Sequence, residues 1–152
     1  MAFASGITNE IGVVGSGEII GSAGVVSSYN NFEEGLKGGL FAKFNAGVVE
    51  LIDGTADPVV AGVVKREISS AMEDAGTFKA DNTIMVDVVE SGLITVEVIG
   101  GLTINKFDAI YAYNGATTAD LGKVTNDATD AVLVDGYFYK EINPTTWIIR
   151  LK

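Results

Sequence analysis

Residues 83–99 read TIMVDVVESGLITVEVI. Ile84, Val86 and Val88 alternate with Met85, Asp87 and Val89, and further on Ile94, Val96 and Val98 alternate with Thr95, Glu97 and Ile99. A period of two sends successive side chains to opposite faces of a strand. Between the two runs stands Glu90-Ser91-Gly92, which reads as a three-residue hairpin loop with Gly92 supplying a positive φ. The implied register pairs Ile84 with Val98, Val86 with Val96 and Val88 with Ile94. One face is then wholly apolar and expected to be buried, with Asp87, Thr95 and Glu97 more exposed. A slip of one residue would mix the two faces, so the register is well specified. The expectation is a half-buried antiparallel hairpin around which the rest of the chain is organised.

The composition narrows what such a chain can do. It has 152 residues, 47% of them hydrophobic, which suits one domain able to bury roughly 70% of its unfolded surface. No apolar run approaches the ~20 residues of a membrane helix, and the first residues lack the pattern of a signal peptide. Neither a membrane nor a secretory route is expected. Cysteine is absent, so there is neither a disulfide framework nor a thiolate site; histidine is absent too, which removes the commonest general base and metal ligand. The formal charge is −10, from 20 acids against 10 bases. Lys65-Arg66 is the one adjacent basic pair, so nucleic acid is not an expected partner. With 19 glycines and 2 prolines, many turns and few helices are expected.

The chain divides into residues 1–35, a Gly/Val-rich N-terminal arm or first strands, and a β-rich domain over 36–152. The first segment carries Phe3, Ile7, Ile11, Val13, Val14, Ile19, Ile20, Val25 and Val26 among small residues and glycines. So apolar an arm is expected to lie on a neighbouring subunit or another surface, and these nine residues are the candidate partner contacts. Their side-chain burial alone falls short of the entropy lost on ordering 35 residues, so backbone hydrogen bonds by strand addition would have to help. Val13-Val14-Gly15-Ser16-Gly17 starts like a dinucleotide loop, but Ile20 occupies the third glycine position and no helix pattern follows.

Further on, strands are expected over residues 40–45, 48–52, 59–68 and 108–113, with turns at Asp53-Gly54 and Asn105-Lys106. Residues 69–76 read as one helical turn or an irregular loop, and 114–130 as mainly loop. Two closing strands, 132–142 and 146–151, are split by Asn143-Pro144.

Two parts of the chain resemble each other. Residues 60–68, VAGVVKREI, align without gaps on 134–142, VDGYFYKEI, 74 residues further on. The same offset places Asp53 on Asp127 and Thr55 on Thr129, and residues 40–45 resemble 109–114. Each half reads as strand, polar loop, then a strand with a glycine near its start. The fold class is therefore mainly β: a single small antiparallel barrel or sandwich, with two similar β-units as one reading and shared strand preferences as the other.

Catalytic sets are thin. No serine or threonine has a histidine to activate it, and the acids are scattered. A carboxylate pair of glycosidase type and an oxygen-ligand site built from Asp127, Thr129 and Asp130 stay open, although the spacing of an EF-hand is missing. No cofactor is expected and an enzyme is the poorer reading. Phe107, Tyr111, Tyr113, Tyr137, Phe138, Tyr139 and Trp147 gather in the C-terminal half. They serve strand packing, or a sugar platform if one face is exposed.

The N-terminal Gly/Ala/Ser/Val-rich segment, LFAKFNAG, AGVVKREI, MVDVVESGLITVEV and VLVDGYFYKEI together resemble the structural cement (head decoration) proteins of tailed bacteriophages. The resemblance spans about residues 35–152, and its most telling pieces are Gly62-Val63-Val64-Lys65-Arg66-Glu67 and SGLITVEV. It implies a small β-rich protein without catalytic residues, made in the host cytoplasm and placed on the capsid exterior of the virion. The major capsid protein is the implied partner and a homotrimer the implied state. The alternative is a carbohydrate- or surface-binding β-module of a tail fibre or adhesin; a third reading is a self-assembling subunit of a tail or shell.

Overall fold

The computed structural model describes residues 17, 19–21, 24–31, 36–65 and 85–152. Among these are nine strands: β1 (Val25–Asn31), β2 (Phe41–Asn45), β3 (Val48–Leu51), β4 (Val59–Val64), β5 (Met85–Glu97), β6 (Ala109–Tyr113), β7 (Val124–Thr125), β8 (Ala131–Asn143) and β9 (Thr146–Leu151). A single 3₁₀ turn, Thr118–Asp120, is the one helical element among the described residues. The strands over 41–64, 109–113 and 131–151 lie where alternation and turn residues put them. Residues 114–130, expected as mainly loop, hold that 3₁₀ turn and the short β7 as well. The expected strand over 59–68 is seen as far as Val64; its last residues, the 69–76 segment and Ile84 lie outside the described residues.

The hairpin expected over 83–99 is not there. β5 is one continuous strand of 13 residues running straight through Glu90-Ser91-Gly92. Gly92 has φ +110°, the positive value assigned to it, yet the strand continues through it instead of reversing. A continuous strand and a hairpin satisfy the same local alternation. What separates them is which strands arrive from elsewhere to pair. Val88 and Val89 pair with Val64 and Val63 of β4, whereas residues 92–97 pair with β9, Val96 lying opposite Trp147. The apolar set is buried as expected: Val86, Val88, Ile94, Val96 and Val98 are all at the core. Thr95, expected to be more exposed, is fully buried, because Ile148 lies opposite it on β9 and Gly17 crosses its other edge, donating N–H to its carbonyl at 2.8 Å.

The sheet order is β1-β3-β2-β4-β5-β9-β8-β6-β7, antiparallel except for the β1–β3 pair, and β1 pairs with β5 as well. The arrangement is sandwich-like, not a closed barrel. Its order reads as two copies of one unit, β3-β2-β4-β5 and β7-β6-β8-β9, meeting at the β5–β9 seam. The two strands matched in sequence hold corresponding places: β4 lies between β2 and β5, and β8 between β6 and β9, all antiparallel. Both carry a register shift against their first partner, at Ala42/Lys43 and at Ala109/Ile110. Both place their glycine where no side chain fits. A Cβ on Gly62 would strike the Val89 carbonyl, and one on Gly136 the Arg150 carbonyl. Those carbonyls occupy matching positions, since Val63 pairs with Val89 and Tyr137 with Arg150. The preceding loops match too: Asp53 Oδ1 accepts from Thr55 N–H at 3.0 Å, and Asp127 Oδ1 from Thr129 N–H at 2.9 Å.

The main hydrophobic cluster is shared by both units. It joins Phe41, Ile52 and Val63 to Val89, Ile94, Val96, Ile110, Phe138, Trp147 and Ile149, with the Phe138 and Trp147 rings edge to face at 5.4 Å. A second cluster of Leu36, Ala42, Val49, Ala61, Val64, Val86 and Val88 lies in the first unit. β5 therefore serves both clusters, giving Val86 and Val88 to the second and Val89, Ile94 and Val96 to the first. Backbone bonds stitch the units together: Phe41 N–H donates to Gly122 O at 2.8 Å and Val98 N–H to Thr145 O at 2.9 Å.

Candidate functional site

Of the nine candidate partner contacts, Phe3, Ile7, Ile11, Val13 and Val14 lie outside the described residues. Ile20 donates its N–H to Leu93 O at 3.0 Å, Gly24 donates to Ser91 O at 3.1 Å, and Ile19 bridges to Ile94. From there β1 pairs with Met85 to Ser91, with one register shift between Val25 and Val26 that leaves out Glu90. The described part of the arm thus runs antiparallel along β5, adding its hydrogen bonds to a strand edge. Ile19 and Ile20 are half-buried there, whereas Val25 and Val26 are 47% and 40% exposed.

Two depressions adjoin at the middle of β5. One, about 370 Å³, lies between the starts of β4 and β8 and is lined by Pro58, Val60, Gly62, Glu90, Leu133 and Leu151. The other, about 580 Å³, is lined by Ile20, Gly24, Gly92, Leu93 and Arg150, and shares Leu151 and Lys152 with the first. Val59 and Leu133, 74 residues apart and so at matching positions of the repeat, are 65% and 66% exposed. Sequence reading did not single them out. The offset that matched the units was the signal, since it puts an apolar residue at the outer start of both strands.

A third feature is the turn before β6. Asp108 N–H donates to Asn105 O at 3.1 Å, and Asp108 Oδ2 accepts from Asn105 N–H at 2.9 Å and Asn126 Nδ2 at 3.0 Å. Those donors hold the Asp108 carboxyl below the usual aspartate range. Phe107 N–H donates to Phe138 O at 2.7 Å, and Phe138 N–H to Asp108 O at 3.1 Å. The turn so fastened presents Phe107 at φ +75° with the residue 66% exposed. A bulky residue at positive φ costs ~1–2 kcal/mol. The ring meets Tyr137 at 5.3 Å, and Lys106 Nζ lies 4.9 Å from the centres of both the Phe107 and Tyr139 rings. Phe107 was among the aromatics read from sequence; the turn at Asn105-Lys106 beside it was the clue to its exposure.

At the other end of β6 lies a recess of about 420 Å³ with Leu40, Leu51, Ile52, Ala119 and Leu121 on its apolar lining. Its charged rim is tied together: Glu97 bonds Lys37 at 3.4 Å and Lys123 at 3.3 Å, and Lys123 bonds Asp120 at 3.0 Å. Burial works against the Lys123 ammonium, but Asp120 and Glu97 outweigh it and hold its pKa above the ordinary lysine value. Asp53, also on the lining, accepts from the buried Lys43 at 2.8 Å. That bond, with those from Thr55, holds the Asp53 carboxyl far below the usual range.

None of these features assembles a nucleophile with a base. Asp127, one of the oxygen ligands weighed above, caps its own loop through Thr129 instead, and among the described residues no three metal-ligating acids gather. What the surface offers is contact area: exposed aliphatics on β1, β4 and β8, an aromatic knob and a recess.

The XM1 gp53 minor capsid protein family model matches residues 4–152. A chain from the solved capsid of Myoviridae phage XM1 is similar in fold, with a TM-score of 0.79 and 31% sequence identity, over 91% of this chain and 90% of that one. No curated protein matches the chain. The family match runs over nearly the whole length and the same fold occurs in a phage head: the chain belongs to the XM1 gp53 minor capsid protein family and is a phage capsid-associated structural protein of the virion.

Proposed function

We propose that this protein is a non-enzymatic decoration, or cement, protein that binds the outside of the assembled head and stabilises it. Its partner is the major capsid protein, and its copies associate as a homotrimer. Membership of a minor capsid family carries the reading. Physical features support it. A cement acts through many weak contacts repeated by symmetry, and exposed Val25 and Val26 beside β5, with Val59 on β4 and Leu133 on β8, supply apolar contact area. The apolar residues of the arm from Phe3 to Val14 add a second anchor, on a neighbouring subunit or on the shell. A charge of −10 favours solubility at the concentrations assembly needs.

The alternative, a carbohydrate-binding module, requires aromatic faces open to stacking. Lys106 lies over the faces of Phe107 and Tyr139, which favours a protein partner. Mixing the purified chain with unexpanded and expanded capsids, then pelleting, tests the reading. Saturable binding to assembled shells and none to free capsid protein is the expected result. Saturable binding to host glycans, or polymers formed by the chain alone, would transfer the protein to one of the other classes.

A further inference from the structure

We infer that Asn114 is a deamidation site held closed by the fold, and that its conversion to aspartate or isoaspartate unfastens a clamp between the two β-units. This chemistry is independent of shell binding and lies outside the function proposed above. Asn114-Gly115 is the one Asn-Gly dipeptide in the sequence. With no side chain at 115 to shield it, the Gly115 backbone nitrogen can reach the Asn114 amide carbon. Hydroxide removes the N–H proton, the nitrogen bonds to Cγ, and the side-chain nitrogen leaves as ammonia. Water then opens the cyclic imide at either carbonyl, giving aspartate or isoaspartate. In the fold that amide is engaged elsewhere. Asn114 Oδ1 accepts from Gly54 N–H at 2.9 Å, and Asn114 Nδ2 donates to Thr55 O at 2.8 Å. Gly54 and Thr55 belong to the first unit, in the loop between β3 and β4, whereas Asn114 follows β6 in the second. Held at both ends by the other unit, the amide cannot rotate onto its own backbone until these bonds open.

The labile pair is also one that the fold cannot exchange. A Cβ at 115 would strike the Tyr113 hydroxyl and the Asp130 Cβ, so this turn requires glycine. The clamp needs an acceptor and a donor on one short side chain, which asparagine has and an ionised aspartate lacks. Aspartate at 114 would set a carboxylate against the Thr55 carbonyl, and isoaspartate would reroute the backbone through the side chain. Gly54 and Thr55 are exposed, so water reaches the clamp and local opening is enough to free the amide. A particle does not resynthesise its proteins, so such conversions accumulate in it.

Peptide mapping by mass spectrometry tests this on the full-length chain, aged at mildly alkaline pH both folded in buffer and unfolded in guanidinium chloride. The unfolded chain should gain the mass of deamidation at Asn114 faster than at any other asparagine. The folded chain should do so about tenfold more slowly or less. Asp53→Ala frees the loop from Lys43 and from the Thr55 N–H while keeping both clamp partners, and should raise the folded rate with an unchanged β spectrum. Asn114→Asp, the product itself, should melt about 2–4 °C below wild type at neutral pH. That deficit should shrink on acidification, where a protonated carboxyl regains a donor for the Thr55 carbonyl. Equal rates in the folded and unfolded chain, or no conversion at Asn114 in the unfolded one, overturn the inference. So does an Asn114→Asp chain as stable as wild type at neutral pH. The rate comparison uses the wild-type chain, so it decides the matter even if that substitution prevents folding.

Discussion

At Asp53 and Asp127 one carboxylate oxygen caps the chain two residues on, and at Asp53 a buried lysine adds its ammonium. Asp53, Asp108 and Asp127 all have pKa values lowered from the ordinary 3.8. A carboxylate whose pKa is lower folded than unfolded stabilises the fold above the unfolded value, and the contribution is lost as pH falls through the folded value. Stability should therefore drop on acidification below about pH 4. Asp53→Asn should shrink the difference between urea midpoints measured at about pH 5 and about pH 3. The two matched glycines make a sharper test. Gly62→Ala and Gly136→Ala each push a methyl group onto a neighbouring carbonyl, and each should cost about 2–3 kcal/mol by denaturant titration. Equal tolerance of alanine at both would show that the close approach relaxes freely. Ala46 stands at φ 50° in the β2–β3 turn; Ala46→Gly relieves that conformation and should stabilise by up to about 1 kcal/mol.

Among the elements, β5 decides most. Val96 is fully buried opposite Trp147, so Val96→Asp should cost about 3–5 kcal/mol, the price of an unpaired buried carboxylate, measured by thermal or urea unfolding. The same strand shows what was legible in the sequence. The alternation of Ile94, Val96 and Val98 with their neighbours named the buried face correctly, because burial on one face is a local property. Whether Gly92 reverses the chain or carries it on was not local. It depends on β4 arriving at Val88 and Val89 and on β9 arriving at residues 92–97. Likewise Thr95 looked like a surface residue until Gly17 and Ile148 covered it. The repeat was legible, since strand, loop and glycine recur together at one offset. The interaction surfaces were less so. Val59, Leu133 and Phe107 are exposed, and in sequence only the repeat offset and the Asn105-Lys106 turn pointed to it, neither of which says by itself which apolar residues stay outside.

For the whole molecule, the arm gives a direct test. Gly17, Ile20, Gly24 and β1 are tied to β5, so deleting residues 2–16 should leave the β spectrum and melting temperature near those of the full chain. It should also weaken shell binding by about tenfold or more, as losing one of two linked anchors does. A deletion variant that pellets with shells as well as the full chain would remove these residues from the contact. The shared strand has a different consequence. Because β5 closes the first unit, pairs along its second half with β9 of the other and contributes to both hydrophobic clusters, the two halves are joined through one strand. A pull along β5 is then met by its hydrogen bonds to β1, β4 and β9 acting together in shear, not peeled open one after another. Stretched between its two units, the molecule should yield in one rupture instead of two, behaving like a single rivet through two plates.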